Sequence, residues 1–273
     1  MNSETVTASL LRLKALLGPK GYHDDPDDLA PWLVDWRGVF HGAARALLSP
    51  ANVSEVAAIV SIAREAGLPI VPQGGNTGMV GGATPSPSGD SVLLSLRRMN
   101  AIRSIDATSG IAVAEAGVIL GNLHDAALAK GMRFPLSLGA KGSATIGGLV
   151  STNAGGTQVL RFGTMRKLVL GVEAVLPDGS IYDGLAALKK DNRGYDLTQL
   201  LIGAEGTLGV VTAASLRIVP AIGDRAVGWV GVESPQAALR LLRWLEARSG
   251  EAIESFEVVP RDTLDLVLRH IPG

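Results

Sequence analysis

Apolar positions along the chain change period several times, and each change marks an element. Residues 4–17 place Leu10, Leu13, Leu16 and Leu17 at helical spacing and stop at Gly18-Pro19, which predicts an amphipathic first helix. Residues 45–49 read as a short strand. Asn52 with Glu55 then forms a capping-box pattern, and Val56, Ile59, Val60 and Ala63 share one face of a helix running to Ala66. After the Gly67 break, residues 68–71 are short and apolar and predict a buried strand. Further strands are expected over 91–96, 101–106 and 111–116, with a helix over 120–130 ended by Gly131. Residues 168–176, the turn Pro177-Asp178-Gly179 and residues 180–182 predict a β-hairpin. Asp196 with Gln199 reads as a helix-start box, and residues 203–219 return as a glycine-broken strand. Past a linker at 220–224, strand 227–232, helix 236–248, strand 253–259 and helix 261–269 make one β-α-β-α unit. The pattern stops at residues 270–273 without the further strands such a unit needs to bury both faces, so a truncated chain is expected. The fold class is therefore α+β, with a first domain over 1–220 and the incomplete start of a second over 221–273.

The strand at 68–71 runs directly into VPQGGNTGMVGG, where five of the nine residues from 74 to 82 are glycine. A two-residue turn needs one or two glycines. Five let consecutive backbone N–H groups converge as a concave nest for phosphate oxygens, with Asn76 and Thr77 adding side-chain donors. No Gly-Lys-Ser/Thr follows, and Gly74, Gly75 and Gly78 do not give G-x-G-x-x-G, so neither a Walker A loop nor an ordinary dinucleotide fingerprint is present. A second small-residue region, PLSLGAKGSATIGGLVSTNAGG over 135–156, mixes glycines with Ser143, Ser151 and Thr152. Packing between elements accounts for some of these glycines. The hydroxyl and amide groups among them fit close approach to a large flat ligand.

Composition narrows the chemistry further. Thirty-four glycines in 273 residues exceed the usual level of about 7% without a collagen-like period, and they gather in the loops. Net charge is −1 with the signs interspersed, which gives no basic footprint for nucleic acid. No apolar run approaches the roughly 18 residues that suggest a membrane span, and the first residues lack a leader pattern, so a cytoplasmic protein is expected. The absence of cysteine excludes disulfides, thiolate metal sites and iron–sulfur clusters, leaving redox chemistry to an organic cofactor or a non-thiolate metal. The acidic run Asp24, Asp25, Asp27, Asp28 reads as a solvated face.

Five stretches together carry a family likeness: VDWRGVFHGAA, VPQGGNTGMVGGATP, FPLSLGAKGSATIGGLVSTNAGG, RFGTMRKLVLGVEAVLPDG and LKKDNRGYDLTQLLIGAEGTLGVVTAASLRIVP. From about residue 33 to 220 they resemble FAD-linked oxidases of the vanillyl-alcohol-oxidase type, with a PCMH-type FAD-binding domain, and within that family the D-2-hydroxyglutarate and D-lactate dehydrogenase group. The resemblance implies two α+β subdomains with FAD between them, followed by a substrate (cap) domain. It places Pro72, Gly74, Gly75, Asn76, Thr77 and Gly78 on the diphosphate. Pro135, Leu138, Gly139, Gly142, Ser143, Gly147 and Gly148 would line the cofactor, Asn153 and Gly155 would approach the flavin ring, and Gly209 and Val210 would contact the nucleotide part. Relatives that tether the flavin carry histidine where Asn76 stands, so a non-covalent FAD is implied. Ser137 and Leu149 depart from the group's pattern, which usually has aspartate and asparagine there.

The implied activity is oxidation of a D-2-hydroxy acid to the 2-oxo acid, with hydride passing to flavin N5 and electrons onward to an electron-transferring flavoprotein or a quinone. Such chemistry needs a cation for the carboxylate and a base for the hydroxyl proton. In this family those groups and a divalent-metal site lie mostly in the second domain, beyond residue 273. His124 sits among Leu123, Ala126 and Ala127 and reads as a packed histidine, so no catalytic residue and no metal ligand is assigned. The alternative is an FAD-binding fragment or accessory subunit without catalysis of its own. A flavin reductase on the same scaffold, acting on enolpyruvyl-amino sugars, is disfavoured by the hydroxy-acid-type motifs. Homo-oligomerisation stays open.

Overall fold

The computed structural model describes residues 3–186, 188 and 190–271. Lys189 of the LKKDNRGYDL motif and residues 272–273 of the carboxyl end lie outside them.

The first subdomain begins with α1 (Ser3–Gly21), broken at Gly18, whose φ of 60° takes the chain out of the helix where the Gly-Pro pair was expected to stop it. Then come β1 (Tyr22–His23) and α2 (Pro26–Leu29). Asp25 accepts the N–H of Asp27 and caps α2, while Asp24 takes Lys14, so the acidic run serves local structure. After β2 (Leu47–Leu48), Asn52 caps α3 (Val53–Ala66) by accepting the Glu55 N–H, and Glu55 reaches back to the N–H of Ala51. Gly67, at φ 63°, ends the helix in the left-handed conformation. β3 (Ile70–Gln73) and β4 (Val92–Ser95) complete a four-stranded sheet of order β1-β2-β4-β3, in which β2, β4 and β3 run parallel. Leu13, Leu48, Ile59, Val92 and Leu94 fill its core.

The second subdomain is an antiparallel sheet of order β5-β6-β10-β8-β9, built from β5 (Ile102–Asp106), β6 (Ile111–Glu115), β8 (Val169–Val175), β9 (Ile181–Asp183) and β10 (Val210–Arg217). Between β6 and β8 run α4 (Leu120–Leu128), β7 (Met132–Arg133) and three short helices, α5 (Ile146–Ser151), α6 (Val159–Phe162) and α7 (Met165–Leu168). Leu120, Leu123, Ile146, Met165, Val172 and Leu216 form its separate core. Val175 and Val210 pack instead with the first core, joining the two subdomains. This is the expected α+β architecture, with a main sheet and a main core in each subdomain.

A polar row crosses the second sheet. Arg103 on β5 makes a bidentate pair with Glu173 on β8 at 3.1 Å and reaches Glu115 on β6 at 3.3 Å, while Thr212 on β10 donates to Glu173 at 2.7 Å. Burial pushes the Glu173 carboxyl up, but the Arg103 and Thr212 hydrogen bonds outweigh it and hold the group below its ordinary value.

Two expectations need correction. The helix at α8 (Thr198–Leu201) is capped at Leu197 without a side-chain bond, and Asp196 contributes its backbone carbonyl to Gln199 rather than its carboxylate. Beyond β11 (Val219–Pro220), which pairs with β7, the expected helices are present as α9 (Pro235–Ser249) and α10 (Arg261–His270). Segments 227–232 and 253–259, however, carry no regular secondary structure. A strand exists only through its ladder, and among the described residues no edge pairs with them. Val227 and Trp229 are 81% and 78% exposed accordingly.

Candidate functional site: a glycine cradle between two subdomains

The glycine loop leaves β3 at the carboxyl ends of the parallel strands, the side of an α/β sheet where ligands collect. Three anchors hold it to the segment around residues 32–42. Gln73, 3% exposed, donates to the carbonyls of Trp32 at 3.0 Å and Ala83 at 2.8 Å. Asn76 donates to Val34 O at 2.8 Å, and Arg37 to Met79 O at 2.6 Å. That segment is itself wound around Asp35, whose buried carboxylate accepts the N–H groups of Phe40 and Val39 at 2.7 Å and of Arg37 at 3.4 Å. The Phe40 bond is the main reason the Asp35 carboxyl is held below its ordinary value.

Asn76 sits at φ 50°, a region asparagine tolerates better than most residues, so its identity has a backbone reason and its amide a structural partner. This replaces the expectation of a side-chain donor aimed into the nest. The backbone donors are another matter. Among the described residues, no protein acceptor meets the N–H groups of residues 74–78. Unpaired within the protein, they fit the pattern of an anion nest.

The expected site glycines divide by what a side chain there would meet. A Cβ on Gly75 would lie 1.9 Å from Ser143 O, and one on Gly74 2.4 Å from Thr145 Oγ1, so both are glycine because the second small-residue region presses against the loop. Gly147 packs on Ala116, Gly155 on Val159, Gly148 beside Thr145 and Gly209 under Val175 O. At Gly78, Gly139 and Gly142 nothing lies within 4 Å, leaving backbone open to a ligand.

A cavity of about 240 Å³ lies where the two glycine regions meet, lined by Gly74, Gly75, Ser143 and Thr145 together with Trp32 and Arg97. A second, of about 220 Å³, is lined by Gly209 and Val210 with Val60, Ala63, Ile70 and Val175, where the subdomains join. Pro72 lies against Gly206, which lines the second cavity. The structure thus brings Gly74, Gly75 and Ser143 to one cavity and Gly209 and Val210 to another, and lines neither with Pro135, Leu138, Asn153 or Gly155. Asn153, at φ 48°, accepts the N–H of Arg166, whose guanidinium holds the carbonyls of Gln199 and Ile202. His124 lies 2.9 Å from Leu136 O, and its burial pushes the imidazole down from its ordinary value, as a packed histidine should behave. Sequence reasoning missed Trp32, Arg97, Asn100, Asn122 and Thr145. Thr145 stood inside the second glycine motif, and Arg97 lies two residues past a strand of the parallel sheet, where the carboxyl-end rule could have found it.

Unused amide donors, open glycine backbone and paired cavities at the subdomain junction fit an extended dinucleotide. A family model described as an FAD binding domain matches residues 44–184, more than half of the chain. The chain belongs to the FAD binding domain family. Within this FAD-binding chain, 247 residues are 44% identical to the mitochondrial D-2-hydroxyglutarate dehydrogenase of Bos taurus, covering 90% of this chain and 45% of that protein. The Arabidopsis thaliana enzyme of the same name is 41% identical over 95% of this chain and 46% of its own length. The D-2-hydroxyglutarate–pyruvate transhydrogenase of Saccharomyces cerevisiae is 38% identical over 90% of this chain and 49% of its own. The chain spans about half the length of these relatives. Among solved structures, alkyldihydroxyacetonephosphate synthase superposes with a TM-score of 0.69 at 23% identity, covering 78% of this chain and 40% of that one, which is a likeness of fold.

The bovine and Arabidopsis relatives are named as mitochondrial, which overturns the cytoplasmic expectation. That expectation rested on the lack of a long apolar run and of a leader pattern in the first residues, and a folded domain has the same surface physics in either compartment. Among the described residues, no helix is long and apolar enough to cross a membrane.

Proposed function

We propose that the protein is an FAD-dependent dehydrogenase that oxidises a D-2-hydroxy acid, of the D-2-hydroxyglutarate or D-lactate type, to its 2-oxo acid. The observation that carries this reading is identity of about 40% with D-2-hydroxyglutarate dehydrogenases running through both glycine regions of the cradle. Bound FAD supplies the two-electron oxidant for the C2 hydrogen. The protein's part is to hold and orient that cofactor. Backbone N–H groups of Gly74, Gly75, Asn76, Thr77 and Gly78, beside Pro72, take the diphosphate. Gly139, Gly142, Ser143, Gly147 and Gly148, with Pro135 and Leu138, border the cofactor. Asn153 and Gly155 approach the ring, and Gly209 and Val210 the nucleotide end. Residues 1–220 form the cofactor domain and 221–273 begin the substrate domain. Electrons leave to a carrier such as an electron-transferring flavoprotein or a quinone.

A second reading is an FAD-binding subunit whose active site another polypeptide completes. Anaerobic titration of the flavin-loaded protein with D-2-hydroxyglutarate and with D-lactate separates the two. Bleaching of the visible flavin bands by one of the acids, reversed by a quinone or by pyruvate, is the result the first reading expects. Flavin that stays oxidised with both acids selects the second.

A further inference from the structure

The nest of residues 74–78 offers amide dipoles but no full positive charge, and a diphosphate brings two negative ones. Arg97 lines the same cavity as Gly74 and Gly75. Of the residues lining the 240 Å³ cavity it alone is charged, and no carboxylate shares the wall. Its guanidinium rests 4.8 Å from the centroid of the Trp32 ring. That pose costs none of the hydrogen-bond donors in the guanidinium plane, because a cation over an aromatic face keeps its N–H groups directed outward.

The neighbouring arginines are committed elsewhere. Arg98 donates to Ser49 O at 2.7 Å, and Arg37 spends itself on Met79 O beside the Asp35 carboxylate. Arg97 makes no ion pair among the described residues. Trp32 is fixed in turn, since its carbonyl receives Gln73 from the base of the glycine loop. The loop, the ring and the cation therefore form one connected unit. Asn100 and Asn122 add neutral polar groups to the same wall.

We propose that Arg97, parked on Trp32, is the positioning cation for the FAD diphosphate, supplying the charge that the amide nest lacks. The inference rests on the FAD reading and deepens it. A guanidinium suits the role because it offers two parallel donors to phosphate oxygens and keeps its charge at every working pH.

The test is FAD affinity of the flavin-stripped protein, measured by quenching of flavin fluorescence over a range of sodium chloride concentrations. The wild-type protein, Arg97→Gln and Arg97→Lys are compared, with thermal melting as the check on folding. Arg97→Gln should bind FAD about 5- to 30-fold more weakly at low salt and show a flatter salt dependence, because one screened attraction is gone. Arg97→Lys should recover most of the salt dependence and part of the affinity. A structural role would move the melting curve instead, since both variants retain the Trp32 wall. Wild-type affinity and slope in Arg97→Gln would overturn the inference and leave the FAD reading standing. Wild-type protein that binds no FAD would overturn both.

Discussion

A carbonyl oxygen 1.9 Å from where a Cβ would sit decides what residue 75 can be. No side-chain rotation relieves that contact, because the backbone fixes the Cβ position and its partner is a backbone carbonyl. Gly75→Ala should therefore force the Ser143 segment away from the loop, destabilise the protein by about 1–3 kcal/mol and lower flavin retention with it. Gly78→Ala is its counterpart. Residue 78 has open space and no left-handed φ, so melting should stay at the wild-type value while FAD affinity falls only if a ligand approaches that backbone. Thermal melting and flavin fluorescence on the two variants distinguish a packing glycine from a ligand-facing one. If Gly78→Ala melts as early as Gly75→Ala, the division is wrong. Both positions were legible in the sequence as glycines in a dense loop, but their different reasons were not. Clustered glycine announces that backbones approach one another or a ligand, and only the fold says which. Arg97 was invisible for the opposite reason. A single arginine after a strand carries no pattern, and its place at the cavity depends on Trp32, sixty-five positions away in the chain.

Elements with their own punctuation were the most readable. Asn52, Glu55 and Gly67 mark both ends of α3 by local hydrogen bonds and a left-handed cap, all within one short stretch of chain. The two expected strands beyond residue 225 failed because a strand's hydrogen bonds belong to its partner. What does tie this region to the flavin-binding part is Glu254. It receives Arg133 and Arg161, and both guanidiniums lie over the Phe162 ring, at 5.3 and 4.9 Å from its centroid. Chiefly through the Arg133 hydrogen bond, the Glu254 carboxyl is held below its ordinary value of 4.5. A carboxyl whose folded value is depressed stabilises the docked state fully above its unfolded value and loses that contribution as pH falls through the folded value. The attachment of residues 253–255 should thus be constant at neutral pH and weaken on acidification from about pH 4.5 downward. Glu254→Gln should produce the loosened state already at pH 7, at a cost of about 1.5–3 kcal/mol for hydrogen bonds to a charged group. Hydrogen exchange of α9 and α10 reads this out. Equal protection in the variant and the parent at pH 7 would show that the contact does not hold the region.

At the scale of the whole molecule, two sheets with separate cores meet along a seam that carries the glycine cradle at one place and the Gly209–Val210 cavity at another. Neither half alone builds the site. The loop comes from the parallel sheet, and its opposing wall from the segment that follows β6. Resemblance across five motifs conveyed this arrangement as a whole, whereas periodicity gave the elements without their relative placement. The compartment was not legible at all, since nothing in a folded surface of mixed charge records it. The arrangement makes cofactor retention a property of the joined subdomains, and Asn76 leaves no nucleophilic ring to tether a flavin. The visible absorption spectrum of the purified protein, repeated on the supernatant after acid precipitation, tests this most directly. The account predicts flavin bands that move entirely into the supernatant as FAD. Bands that stay with the precipitate, or a protein that remains colourless after incubation with FAD, would contradict it.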